Sequence, residues 1–186
     1  MGRIRIIAGC WRGRFLDVPE YPGLRPTPAR VRETLFNWLA PFIVKARCLD
    51  LFAGTGVLGF EALSRGALQV HFIDSHPATL NIIKKTAQRF ETAAACEFIA
   101  MDAIKWLAHV REKEPAFDII FLDPPFASVH LPSCLKLLEG STLVNHQTRI
   151  YCESAQPLHI LPQGWQLLKQ KTAGDVVYHL MQGAQR

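Results

Sequence analysis

The stretch Asp50-Leu51-Phe52-Ala53-Gly54-Thr55-Gly56-Val57-Leu58-Gly59 joins an apolar run over 48–53 to a helical pattern over about 57–65. A glycine-rich turn between a strand end and a helix start lets backbone N–H groups approach a ligand closely. The spacing fits G-x-G-x-x-G, a cradle for nucleotide-like ligands. Gly66 follows the helical pattern as its C-terminal stop.

Outward from this loop, apolar runs recur at 69–73, 96–100 and 117–122, with helical stretches at about 77–90 and 103–112. Continuous apolar strands alternating with helices predict a mostly parallel sheet covered on both faces. Beyond residue 130 the pattern predicts a helix near 131–138 and a strand near 148–154. Two further strands, near 165–171 and 176–181, are joined by Thr172–Asp175 and so pair antiparallel. The fold class is α/β, Rossmann-like, with a seven-stranded sheet whose last hairpin is antiparallel.

Upstream of residue 46 the character differs. Residues 3–8 and 14–18 read as short strands around a turn bracketed by Gly9 and Gly13. Pro19, Pro22, Pro26 and Pro28 mark an extended linker, and Thr27-Pro28 reads as a helix start with Thr27 as N-cap. Val31, Leu35, Trp38 and Leu39 form one apolar stripe, with Arg30, Arg32 and Glu33 off it. The expected division is a basic N-terminal extension over 1–45 and a catalytic domain over 46–186.

Charge follows the same division. The chain of 186 residues has a formal net charge of +5, and residues 1–48 alone hold nine basic against three acidic residues. Eight of those nine are arginine, whose planar fork suits phosphate. Two readings stand: a solvated basic surface, or a nucleic-acid partner.

Several classes are excluded or disfavoured. Five cysteines, at 10, 48, 96, 134 and 152, form no CxxC pair, which argues against a zinc or redox motif and points to a reducing cytoplasm. Seven scattered histidines show no metal spacing, so no metal is expected. No apolar run approaches the roughly 18 residues of a membrane span. Cys134 and Cys152 read as buried thiols. Trp38 reads as core, and Trp11 suits either core or stacking on RNA.

Acids at the strand ends carry the chemistry. Asp50 lies inside the first strand, where a dinucleotide site usually keeps apolar residues; a cationic amino-acid moiety there favours S-adenosylmethionine (AdoMet) over NAD. Asp74 lies twenty residues after Gly54, the distance for a carboxylate on two ribose hydroxyls. Asp102 suits either an adenine amino group or the N-cap of the helix after it.

The fourth strand ends in Asp123-Pro124-Pro125-Phe126. Ligands of an open parallel sheet sit beyond the carboxyl ends of its strands, at the switch point, so this loop and the glycine loop should share one crevice. An exocyclic amine is a poor nucleophile because its lone pair is delocalised into the ring. Accepting hydrogen bonds from both its N–H groups, by the Asp123 carboxylate and the Pro124 carbonyl, localises the pair. The two prolines stiffen those acceptors, which amounts to electrostatic preorganisation. Phe126 offers a face to a flipped-out base. Two competing readings are an NAD(P)-dependent oxidoreductase on the same glycine motif and an RNA-binding module without turnover. The first leaves Asp123–Phe126 unexplained.

The combination resembles the class I AdoMet-dependent methyltransferases of exocyclic amines. Three N-terminal segments are more specific: Arg5–Arg14, Gly23–Thr27 and Arg30–Leu39. Together with Leu49–Ala67 and Asp123–Phe126 they resemble the bacterial RsmD-type family across essentially the whole chain. The resemblance implies methylation of N2 of one guanine in 16S ribosomal RNA of the small (30S) subunit, with S-adenosylhomocysteine as by-product. The expected partner is 16S rRNA within an assembled or assembling 30S subunit, and the expected state is a cytoplasmic monomer.

The same resemblance maps Phe52, Gly54, Gly56, Asp74 and Asp102 to the cofactor pocket, and Asp50, Thr55, Ser75 and Ala103 are expected to line it with them. It assigns Asp123, Pro124, Pro125 and Phe126 to catalysis. Arg3, Arg12, Arg14, Arg25, Arg30 and Arg32 are expected to form an RNA-facing surface. Ala29 departs from the pattern, standing where the family usually has an Asp.

Overall fold

The computed structural model describes residues 2–18, 27–110, 114–124 and 130–184. Strands β1 (Gly2–Arg5) and β2 (Phe15–Val18) form the antiparallel hairpin, extended by Ile6 N–H to the Arg14 carbonyl at 2.9 Å. Helix α1 (Ala29–Leu39) follows, and then the alternation begins: β3 (Arg47–Asp50), α2 (Val57–Ser64), β4 (Gln69–Asp74), α3 (Pro77–Arg89), β5 (Cys96–Ala100), α4 (Ala103–His109), β6 (Ile119–Leu122) and α5 (His130–Leu138). Strands β7 (Arg149–Ser154), β8 (Gln166–Ala173) and β9 (Val176–Gln182) complete the chain.

The seven-stranded sheet runs β5-β4-β3-β6-β7-β9-β8, parallel from β5 to β7, with β9 antiparallel to both β7 and β8. The strand order reverses between β3 and β6, so the loops after these two strands open side by side. Side chains alternate across the sheet. Cys48, Val70, Phe72, Ile119, Phe121 and Tyr151 point to the face covered by α1, α2 and α3, while Leu49, Ile73, Ile120, Leu122 and Ile150 face α4 and α5. Cys134 and Cys152 are buried on this second face.

Helix α2 is buried along its whole length, including Glu61 and Ser64. The N-terminal hairpin explains this. Ile4, Ile6 and Leu16 share the core of α1 and α2. The turn docks through Cys10 N–H to the Ser64 carbonyl at 2.7 Å and Trp11 N–H to Ser64 Oγ at 3.0 Å. The Trp11 ring packs on Phe90 with centroids 4.9 Å apart, and Trp38 packs on Tyr178 at 5.4 Å.

The start of α1 corrects the sequence reading. Pro28, not Thr27, is the N-cap, and among the described residues no side chain caps the helix. Pro28 falls one residue short of the first helical position, Ala29, because its own ψ of 147° is still extended. The Thr27 hydroxyl is turned instead to Asp123 Oδ2. Among the described residues, no helix is long and apolar enough to cross a membrane.

Candidate active site

The glycine loop is closed by short-range bonds. Ala53 N–H reaches the Ile73 carbonyl at 2.9 Å, and Gly54 N–H reaches Asp74 Oδ2 at 2.9 Å. Gly56 sits at φ +73°, a conformation that L side chains rarely adopt, and caps α2. At Gly59 a Cβ would meet the Phe72 ring, so its absence lets α2 lie directly on β4. Thr55 is buried and its Oγ1 accepts from Val57 N–H at 3.3 Å, so it secures the first turn of α2. Phe52 is partly buried, its ring 6.0 Å from that of His130.

Asp50 is almost wholly buried, and its Oδ2 lacks a hydrogen-bond partner among the described residues. The backbone N–H groups of Gly59 and Phe52 hold the charged form. Burial outweighs them and, with the nearby Asp74 charge, pushes the pKa up to about 7. A buried carboxylate oxygen without a hydrogen-bond partner is costly unless something pairs with it. The cationic amino group of a ligand in the crevice fits that need.

Asp74 also accepts from His76 N–H at 2.8 Å through Oδ1, and exposed Ser75 touches the His76 ring at 3.1 Å. Asp102 is the N-cap of α4, with Oδ1 accepting from Lys105 N–H at 3.0 Å, so the capping reading holds for that oxygen. Ala103 is buried against the core of the second face.

Across the switch point, Asp123 follows β6 directly and Pro124 is buried beside it. Pro125 and Phe126 lie outside the described residues. Asp123 keeps some exposure, but its Oδ2 accepts from Thr27 Oγ1 at 3.2 Å, a bond that spans 96 residues of sequence. Desolvation of the carboxylate, then the charges of Glu153 and Asp50, push its pKa well above the ordinary range; the Thr27 hydroxyl opposes them.

Glu153 is buried at the end of β7, and Tyr151 donates to its Oε1 at 2.6 Å. Neither residue stands out in the sequence reading, although Glu153 follows the same rule as Asp50 and Asp74: an acid at the carboxyl end of an otherwise apolar strand. Thr27 carries no sequence signal of this contact, because its position suits an N-cap.

The basic face needs one exchange. Arg32 reaches it only from within the wall: the side chain is buried, with Nη1 2.7 Å from Glu61 Oε1. A charge so placed must be paired, and Glu61, whose other oxygen meets Arg65 at 3.3 Å, is the partner that a buried α2 requires. Arg5 takes its place. Arg3, Arg5 and Arg12 line a cavity of about 530 Å³ together with Thr27, Pro28, Ala29 and the buried Arg32. Arg30 is exposed, while Arg14 is exposed and lies over the Phe90 ring, 4.3 Å from its centroid. Arg25 lies outside the described residues. With Ala29 in place of an acid, the first turn of α1 carries no negative charge toward this cavity.

Comparison with known proteins agrees with the motifs. The family described as Conserved hypothetical protein 95 matches residues 4–182. A Haemophilus influenzae protein named Ribosomal RNA small subunit methyltransferase D is 45% identical over 184 residues, covering 97% of this chain and 94% of that one. The Escherichia coli protein of the same name is 45% identical, covering 97% of this chain and 90% of that one. The solved structure of Escherichia coli yhhF is 44% identical, covers the whole of both chains and superposes with a TM-score of 0.88. With the family model spanning nearly every residue and relatives this similar along their whole length, the chain belongs to the Conserved hypothetical protein 95 family, that of the RsmD-type proteins its motifs resemble.

Proposed function

We propose that this protein transfers a methyl group from AdoMet to the exocyclic N2 of one guanine in 16S rRNA. The observation that carries this reading is the juxtaposition of the glycine loop after β3 with Asp123 after β6, on neighbouring strands at the switch point. The names of the relatives, which place them as rRNA methyltransferases, support it.

The residues present suit AdoMet. The unpartnered Asp50 Oδ2 would pair with its amino group, and Asp74 would take the ribose hydroxyls. The glycine loop, with Phe52 and Thr55, would line the middle of the pocket. Asp102, through the oxygen not spent on the cap, would meet the adenine amino group beside Ser75 and Ala103. Bound there, AdoMet supplies an electrophilic methyl group on a sulfonium. Asp123 and the Pro124 carbonyl would accept the two N–H bonds of the guanine amine and aim its lone pair. Phe126 would stack on the base.

The extension 1–45 would serve as the RNA-facing part and 46–186 as the methyltransferase domain, acting as a cytoplasmic monomer on the 30S particle or its precursor. Arg3, Arg5, Arg12, Arg14, Arg25 and Arg30 would meet phosphates beside the Asp123 pocket. The test is incubation with tritium-labelled AdoMet and 30S subunits from a methylation-deficient strain, followed by mass-spectrometric mapping. Label on N2 of one 16S guanine is expected. No label, alongside an active control enzyme, rejects the reading.

A further inference from the structure

Thr27 is buried just ahead of α1, and each of its polar ends is engaged. Its hydroxyl donates to Asp123 Oδ2 at 3.2 Å, a long bond for O–H···O, and its carbonyl accepts from Arg32 Nε at 3.2 Å. Arg32 Nη1 reaches Glu61 Oε1 at 2.7 Å and the Arg5 carbonyl at 3.2 Å. Glu61 stands on α2, the helix that Gly56 begins, and also accepts from Ile7 N–H at 2.8 Å. A connected set of bonds thus runs from the helix of the glycine loop to one oxygen of Asp123.

We propose that Thr27 is a positioning residue for methyl transfer, holding Asp123 Oδ2 so that Oδ1 meets the target amine, with Arg32 and Glu61 fixing Thr27 in turn. The proposal rests on the amino-methylation reading above. As N2 bonds to the methyl carbon, the carbon–sulfur bond breaks with its electron pair left on sulfur, and the surplus proton of N2 passes to Asp123. Asp123 must therefore begin ionised. The groups facing it work against that. Asp50 on β3 and Glu153 on β7 both disfavour a third charge, and the Tyr151 hydroxyl and Cys152 thiol beside Glu153 bring no positive charge. A hydroxyl that donates to Oδ2 favours the carboxylate. A carboxylate free to rotate would present either oxygen and lose the alignment that amine activation needs.

The test uses the full chain with labelled AdoMet and under-methylated 30S subunits, measuring kcat across pH and AdoMet Kd by calorimetry. Thr27→Val should lower kcat roughly 10- to 100-fold, the range of a lost hydrogen bond to a charged group. AdoMet Kd should stay unchanged, and the acid limb of the pH profile should move to higher pH. Thr27→Ser should restore both, and Thr27→Ala, which adds no apolar branch, should reproduce the valine result. Wild-type kcat and pH profile in Thr27→Val overturn the proposal. So does a serine variant as impaired as valine, or a loss of AdoMet affinity in step with kcat. An inactive wild type overturns the methylation reading and this proposal together, whereas an active wild type with an indifferent Thr27→Val overturns this proposal alone.

Discussion

On the β3–β4 side of the switch point, Asp74 holds the glycine loop by a bond to Gly54 that spans 20 residues; on the β6 side, Asp123 takes its hydrogen bond from Thr27, 96 residues away. The first side is a self-contained β-loop-α-β unit. The second is assembled from β6, β7 and the N-terminal segment, which reaches over α2 to meet it. The difference teaches that a cofactor cradle can be written locally, while the carboxylate facing the second substrate depends on how distant parts of the chain pack.

If the two sides are functionally separate, Asp123→Ala breaks one and spares the other. Methyl transfer should fall by about 10²- to 10³-fold, as when a preorganised polar group at a reacting centre is removed. AdoMet Kd by calorimetry should change by less than about threefold. Equal loss of both would erase the distinction.

The tie between the sides is the buried Arg32–Glu61 pair. Arg32→Ala leaves buried Glu61 with Arg65 as its cationic partner among the described residues and should cost about 3–5 kcal/mol, read by urea unfolding. Loss of less than about 1 kcal/mol, the range of a surface pair, would show that the N-terminal segment is not anchored this way.

The cofactor side should also carry a pH signature. Asp50 titrates near 7 in the folded chain against about 4 when unfolded, so between those values the folded state binds more protons. Stability therefore falls as pH rises through that window and levels off above about 7, and Asp50→Asn should flatten the slope in thermal melts. A cationic ligand favours the ionised form. AdoMet affinity should rise with pH, by up to about tenfold per unit below 7, and lose that dependence in Asp50→Asn.

The smallest effects belong to the basic face. Replacing Arg5 or Arg12 by Ala should each lower the salt slope of RNA binding by roughly 0.7–0.9 and leave AdoMet binding unchanged. Unchanged RNA binding in the double variant would return that charge to an ordinary solvated surface.

Much of the sheet was legible because its code is local. Apolar runs bounded by glycine loops and helical periods mark β3 to β9 to within about three residues, and the acids at strand ends mark the crevice. The same local logic misread two residues. Thr27-Pro28 satisfies the composition of a helix start, yet tertiary contact draws the threonine hydroxyl to Asp123. Arg32 lies off the apolar stripe of α1 and so reads as solvated, but α2 presents a buried carboxylate to it. Periodicity reports which face of a helix is apolar and says nothing of what packs against the polar face.

By itself, the sequence determined the order of strands and helices, the place of the glycine loop and the chain of acids that lines it, because these follow from backbone periods and turn chemistry. Only the tertiary structure decided which arginines face outward, how Asp123 is held and where Glu153 joins it. Those depend on contacts between residues far apart in the chain, and burial there sets both charge and orientation.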